Sequence, residues 1–224
     1  MSYSLFTNQS ICWAKRAITL PIRRYQRFLQ GRQYCYVLRE QLIHHTGELK
    51  VIVGASSTHM PDWISTEYPY VNIASWVNLQ KWFVPESMSA ILAEHVWEHL
   101  TQDQALDACR NCFRLLKSGG YLRLAVPDGN HPDTSYIDAV KPGGYGPGSD
   151  DHKVLYRLES LTTLLETAGF VVRPLEWFDT EGMFHKTPWD PEMGMVSRST
   201  RFDERNINNP TAYTSLIIDA FKLG

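Results

Sequence analysis

The sequence predicts an α/β domain, a mostly parallel sheet covered on both faces in three α/β/α layers. Three observations support this. Short apolar strand candidates recur from Leu49 onward with crossovers between them, the pattern of a sheet buried on both sides. An amphipathic stretch over residues 102–116 separates two of those candidates. The last two candidates are joined without a helix, which predicts an antiparallel C-terminal edge strand.

Residues 1–47 read as a basic and aromatic helical arm. Lys15, Arg16, Arg23, Arg24, Arg27, Arg32 and Arg39 alternate with Tyr25, Phe28, Tyr34 and Tyr36. Gly31 interrupts the arm, so two short helices are expected. The α/β domain then occupies 48–224. LKVIVG is the first strand and ISTEY the second; the few residues between them leave room only for a shortened first helix. VNIASW reads as a third strand, LQKWF as a helical or irregular piece and SAILAE as the next strand.

Thr101 and Gln104 have the spacing of a capping box, in which hydroxyl and amide satisfy free N–H groups at a helix start. Ala105, Cys109, Cys112, Phe113 and Leu116 follow at three- and four-residue spacings, making one buried stripe. Gly119-Gly120 is expected to end that helix and turn the chain into the strand YLRLAV, which stops at Pro127. Residues 129–157, rich in Gly, Pro, Asp and His, predict a long loop. LESLTTLLETAGF reads as helix with Gly169 as terminator, VVRPLEWF and TAYTSLIIDAFK as strands. Residues 179–210 form a second insertion.

The 224 residues suffice for one hydrophobic core, and a net charge of −2 gives no general attraction to nucleic acid or anionic membrane. No apolar run approaches the about 18 residues needed to span a bilayer. A soluble, cytoplasmic protein is expected. Cys12, Cys35, Cys109 and Cys112 form no secreted-type framework, and Cys109 and Cys112 sit on the apolar stripe of a helix, where they read as small core residues.

His95-Val96-Trp97-Glu98-His99 matches an inverted zinc-protease motif, which requires both histidines on one helix. The apolar run SAILAE leads into His95, and the best helix start lies later, at Thr101. His95 is therefore expected at a strand end, with His99 structural, and no metal site is expected. Zinc-dependent hydrolysis is the third-ranked reading.

VIVGASS, WISTEY, VNIASW, AILAEHVWEHL, LLKSGGYLRLAVPD and HKVLYRLESLTTLLETAGF, in that order, resemble the class I S-adenosylmethionine-dependent methyltransferases, especially their small single-domain members. The resemblance spans about residues 49–178 and implies a Rossmann-like fold with S-adenosyl-L-methionine as cofactor. It implies that Gly54, Ala55 and Ser56 approach the methionine part and that Glu67 accepts from the ribose hydroxyls. Ser75 and Trp76 would stand by adenine, and Glu94 and His95 would line the pocket. Ser56 replaces a usual second glycine, and Ser75 a usual acid.

Methyl transfer needs an in-line acceptor, with removal of a proton if that acceptor is neutral. His152 beside Asp151 is the leading base candidate, with His95 a third catalytic candidate. His131, Asp133, Tyr136, Asp150, His185, Asp190, Arg198, Arg201 and Arg205 lie in the insertions as further acceptor-holding groups. Val126-Pro127-Asp128 lacks the signature of amino-directed nucleic-acid methylases. A small-molecule O or N acceptor is the expected substrate, with nucleic acid and membrane not expected as partners. The basic arm is a candidate protein-binding element. The alternative function is a catalytically inactive interaction scaffold.

Overall fold

The computed structural model describes residues 29–56 and 58–224. The arm's first 28 residues, with Cys12 and five of the cationic side chains, lie outside them. The described residues fall into two units, one ending at His44 and the other spanning His45–Gly224. In the first, residues 29–44 form one helix, α1. Gly31 lies inside it and does not interrupt it: a glycine weakens a helix by only about 1 kcal/mol relative to alanine.

The second unit is a seven-stranded sheet in the order β2-β1-β3-β4-β7-β5-β6. Its strands are β1 (Leu49–Val53), β2 (Trp63–Thr66), β3 (Met88–Glu94), β4 (Leu116–Pro127), β5 (Val171–Phe178), β6 (Phe184–Lys186) and β7 (Ser215–Phe221). The pairs β1–β2, β1–β3 and β3–β4 are parallel. The C-terminal strand β7 runs antiparallel to both β4 and β5. The second insertion adds β6 antiparallel to β5, and β6 takes the edge position.

The expected strand at VNIASW is absent; this segment is a turn leading into α2 (Trp76–Leu79). Its polar backbone is satisfied by nearby side chains instead of a ladder. Asn72 N donates to Asn78 Oδ1 at 2.8 Å, and Ala74 N to Asn72 Oδ1 at 3.0 Å. Asn78 Nδ2 and Trp82 Nε1 both donate to the Tyr70 carbonyl. Among the described residues the link from β1 to β2 holds no helix; Thr58 N donates to Ala55 O in a tight turn, and Ala55 N donates to Thr66 O.

Helix α3 (Gln102–Leu115) begins with the full capping box of Thr101 and Gln104. It ends at Leu115, before the glycines, and Leu116 both caps it and starts β4. Gly119 and Gly120 instead serve the sheet: Gly119 N donates to Lys222 O at 2.8 Å, and a Cβ on Gly120 would stand 3.1 Å from the Ser89 carbonyl. The first insertion is more ordered than a loop, carrying α4 (Thr134–Val140) and a 3-10 turn at Ser149–Asp151. Helix α5 (Leu158–Thr167) follows, and Phe170 beyond it meets Phe113 of α3 edge to face at 5.1 Å.

The sheet lies between two covering layers. On the helical side Val51, Val53, Ile91, Leu79, Phe83 and Leu115 surround one apolar seam. On the other side Ile52, Ala90, Leu92, Ala125 and Ile217 pack with Ala55, Trp63, Leu175 and Val196. Val196 and Trp189 belong to the second insertion, so among the described residues this layer is largely that segment, with 3-10 turns at Pro191–Met193 and Glu204–Asn206.

Buried charges fasten the insertion. Arg123, fully buried in β4, makes a two-pronged pair with Asp219 of β7 at 2.7 and 2.9 Å. Its Nη1 donates to the carbonyls of Asp190 and Gly194, and its guanidinium lies 4.9 Å from the Trp189 ring centre. Glu176 of β5 accepts from Trp189 Nε1, from Thr200 N and Oγ1, and from Thr214 Oγ1.

Asp128 is fully buried just after β4, accepting from the amides of Asn130 and Phe178. Burial pushes its carboxyl up to about 6 from an ordinary 3.8, against the opposing pull of the Phe178 and Asn130 amides. Between those values the native state binds more protons than the unfolded chain, so stability falls as pH rises from about 4 to about 6. A shift of this size corresponds to at most about 3 kcal/mol. Urea midpoints measured across that range should fall for the wild type, and Asp128→Asn should flatten the slope there.

Candidate functional site

The strand order reverses between β1 and β3, and ligands of open α/β sheets bind beyond the carboxyl ends of strands at such a switch point. A crevice of about 380 Å³ opens there, within the range of small-molecule sites. Its floor is Val53, Gly54, His95 and Val96; Tyr68 and Asn72–Ala74 form one wall, and His99, Leu100, Gln104 and Asp151 the other. Gly54 has φ +61, and a Cβ there would meet Val96 Cγ2 at 2.8 Å. Here glycine is required both by the turn and by the close approach of two strand ends.

A second cavity of about 470 Å³ shares Gly54, His95 and His99 with the crevice and continues past Ser56, Glu94, Glu98, Tyr145 and His152 to Arg198, Arg205 and Tyr213. Between them these spaces bring together Gly54, Ser56, Glu94, His95, Asp151 and His152.

Other sequence-selected residues are engaged elsewhere. Ala55 is buried in the apolar layer opposite the helices. Glu67 is half-buried after β2, outside the crevice lining, with its neighbour Tyr68 on the wall. Ser75 caps α2 by accepting from Asn78 N, and Trp76 stacks beneath the Arg114 guanidinium at 3.7 Å. Glu94 faces the second cavity but accepts from the backbone amides of Ser197 at 3.0 Å and Arg198 at 2.8 Å, with Arg198 Nη1 at 3.4 Å.

His95 directly follows β3, as the apolar run predicts, in the left-handed region at φ +55. Its Nε2 is hydrogen-bonded to Ser215 Oγ at 2.9 Å, and its Nδ1 lies 3.0 Å from Glu98 Oε1. That second contact is an ion-pair distance but is not directed as a hydrogen bond, since both Glu98 oxygens lack such a partner among the described residues. Burial raises the Glu98 carboxyl's affinity for protons, yet the charge and proximity of His95, aided by His99, hold it below the ordinary carboxylate value.

The only helical structure in the histidine motif is the three-residue 3-10 turn Trp97–His99. His95 stands outside that turn, so the inverted zinc-protease arrangement is absent. His99 and His152 rings meet edge to face at 4.7 Å. His152 is buried, with Nδ1 2.6 Å from the Val140 carbonyl. Asp151 is exposed, 2.7 Å from Lys153 Nζ and 3.4 Å from His99 Nδ1. Neighbours in sequence, Asp151 and His152 thus point to different partners.

Several acceptor-holding candidates have structural partners. His131 Nε2 bonds the Thr211 carbonyl and its ring stacks on Tyr136, whose hydroxyl donates to Thr214 O. Asp133 caps α4, and Asp190 caps a 3-10 turn. His185 pairs with Asp179 at 2.6 Å, while Arg205 pairs with Asp203 and covers the Tyr213 ring. Arg201 lies over Phe202, and Asp150 is exposed in the 3-10 turn before His152. Cys109 and Cys112 are buried free thiols, and burial pushes Cys109 up to about 12 despite the bond from Trp97 Nε1.

The fold and crevice together define a Rossmann-like α/β protein with a ligand-sized site at its switch point. No family model and no curated protein matches the chain. Among solved structures it is similar to an S-adenosylmethionine-dependent methyltransferase of Thermotoga maritima, at 14% identity over 90% of this chain and 95% of that one, TM-score 0.45. A SAM-dependent methyltransferase of Archaeoglobus fulgidus is similar at 14% identity over 85% and 92%, TM-score 0.45. Phosphoethanolamine N-methyltransferase 2 of Haemonchus contortus is similar at 10% identity over 86% of this chain and 53% of that one, TM-score 0.45. Among the described residues no helix is long and apolar enough to cross a membrane.

Proposed function

We propose that this protein binds S-adenosylmethionine in the switch-point crevice and transfers its methyl group to a small-molecule oxygen or nitrogen acceptor. The observation that carries this reading is the crevice itself, bounded by Gly54 on one strand end and His95 on the other. In it the Gly54 turn would lie along the methionine portion and Asn72–Ala74 along the adenine. Glu67, beside the wall residue Tyr68, is the proposed ribose acceptor, a carboxylate being suited to a diol. The acceptor would enter from the second cavity. The sulfonium's methyl bond to sulfur breaks as its bond to the acceptor forms, and the sulfur keeps the electron pair. His95 borders both spaces and is the group proposed to receive the acceptor's proton.

A second reading, a noncatalytic scaffold, is favoured by one observation: Glu94 and Ser75 are committed to holding the protein's own backbone. Calorimetry with S-adenosylhomocysteine separates the two. One binding site per chain is expected, and Glu67→Ala should weaken it about tenfold, the loss of about 1.4 kcal/mol. Absence of binding to folded protein would reject the enzyme reading; unchanged affinity in the variant would reject the ribose role alone.

A further inference from the structure

We propose that Glu98, His99 and His152 form a binding site for one divalent d-block cation of the zinc class. One potential ligand atom from each lies within 4.8 Å of the other two. Two segments remote in sequence supply them: the 3-10 turn Trp97–His99 and the residue following the turn Ser149–Asp151. Backbone bonds fix the segments in register, with Lys153 N donating to the Glu98 carbonyl at 2.6 Å and Val154 N at 3.3 Å.

The Glu98 side chain also calls for a cation. It is fully buried, and neither oxygen has a hydrogen-bond partner among the described residues. A buried carboxylate in that state is costly unless a cation faces it. The imidazole of His95 approaches only one of the two oxygens, with Nδ1 3.0 Å from Oε1. A metal on the other oxygen would meet that need.

The outer contacts are those of metal-binding histidines, which hold one ring nitrogen to a carbonyl or carboxylate and present the other to the ion. His152 Nδ1 is bonded to the Val140 carbonyl, which leaves Nε2 for the metal. Asp151 Oδ2 stands 3.4 Å from His99 Nδ1. Two imidazoles and one carboxylate suit Zn²⁺ and its neighbours better than Mg²⁺ or Ca²⁺, which prefer all-oxygen sets. Three protein ligands leave a position open to the second cavity, where an oxygen or water could bind. Metal binding at these three residues is independent of methyl transfer.

The test uses the full chain free of any histidine tag, loaded with Zn²⁺, dialysed and assayed for metal, with Co²⁺ titrated in parallel and followed by visible absorption. One ion per chain is expected, with cobalt bands of a low-coordinate nitrogen and oxygen site. His152→Ala and His99→Ala should each lower affinity at least tenfold, while His185→Ala, whose ring pairs with Asp179, should leave it unchanged. His99 is the more exposed ligand, so that variant carries the test if His152→Ala does not fold. Folded wild-type protein that retains no metal would overturn the proposal, as would retention equal to wild type in a folded His99→Ala or His152→Ala variant.

Discussion

Arg123→Ala is expected to destabilise the protein by about 3–5 kcal/mol, the cost of leaving one partner of a buried ion pair uncompensated. Asp219 would keep its charge with no cation at 2.7 Å, and the carbonyls of Asp190 and Gly194 would lose their shared donor. Trp189 would also lose the cation over its ring. Surface pairs such as Lys141 with Asp138, both half-exposed, contribute about 0–1 kcal/mol by contrast. Urea unfolding followed by far-UV circular dichroism gives the value. Replacing both partners by leucine should recover much of the loss, because the pair's desolvation is then no longer required. A loss below 1 kcal/mol for the single variant would mean that the pair does not hold the layers together.

Gly54→Ala is expected to lower S-adenosylhomocysteine affinity at least tenfold, or about 1.4 kcal/mol. The new Cβ would stand 2.8 Å from Val96 Cγ2, and φ +61 disfavours any side chain. Relief requires Val96 to move, and Val96 belongs to the crevice lining. Val96→Ala in the same chain removes the obstructing methyl groups and should restore part of the affinity. Calorimetry on the single and double variants checks this. Affinity equal to wild type in Gly54→Ala would separate this glycine from the ligand site.

Much of the fold is legible in the sequence because it rests on local rules. Thr101 and Gln104 announce the start of α3, and the run SAILAE announces that His95 ends a strand. VNIASW misleads because its alternating apolar residues suit a strand, while Asn72, Ser75 and Asn78 offer local hydrogen bonds that outcompete pairing. Gly119 and Gly120 mislead similarly: a glycine pair suits a helix end, but here neighbouring strands need the backbone close.

The site is less legible, since it is assembled across long separations. Asn72–Ala74 join the crevice wall only through the turn that replaces a strand. Glu98, flanked by Trp97 and His99, does not announce its partners, and its meeting with His152 depends on Lys153 and Val154 bonding back to the Glu98 carbonyl. Glu94 resembles a ligand-facing acid by position, yet residues 197 and 198, more than a hundred positions later, claim its oxygens.

The fastening of the second insertion by Arg123, Glu176 and Glu94 bears on which part of the molecule opens first. Its anchors sit on different strands, Glu94 on β3, Arg123 on β4 and Glu176 on β5, so residues 189–200 have their full set of partners only where these strands lie in one sheet. A segment held to the outer face of a sheet by such anchors is expected to open before the strands beneath it. Hydrogen exchange would read this as amides of residues 189–200 exchanging ahead of those in β4 and β7.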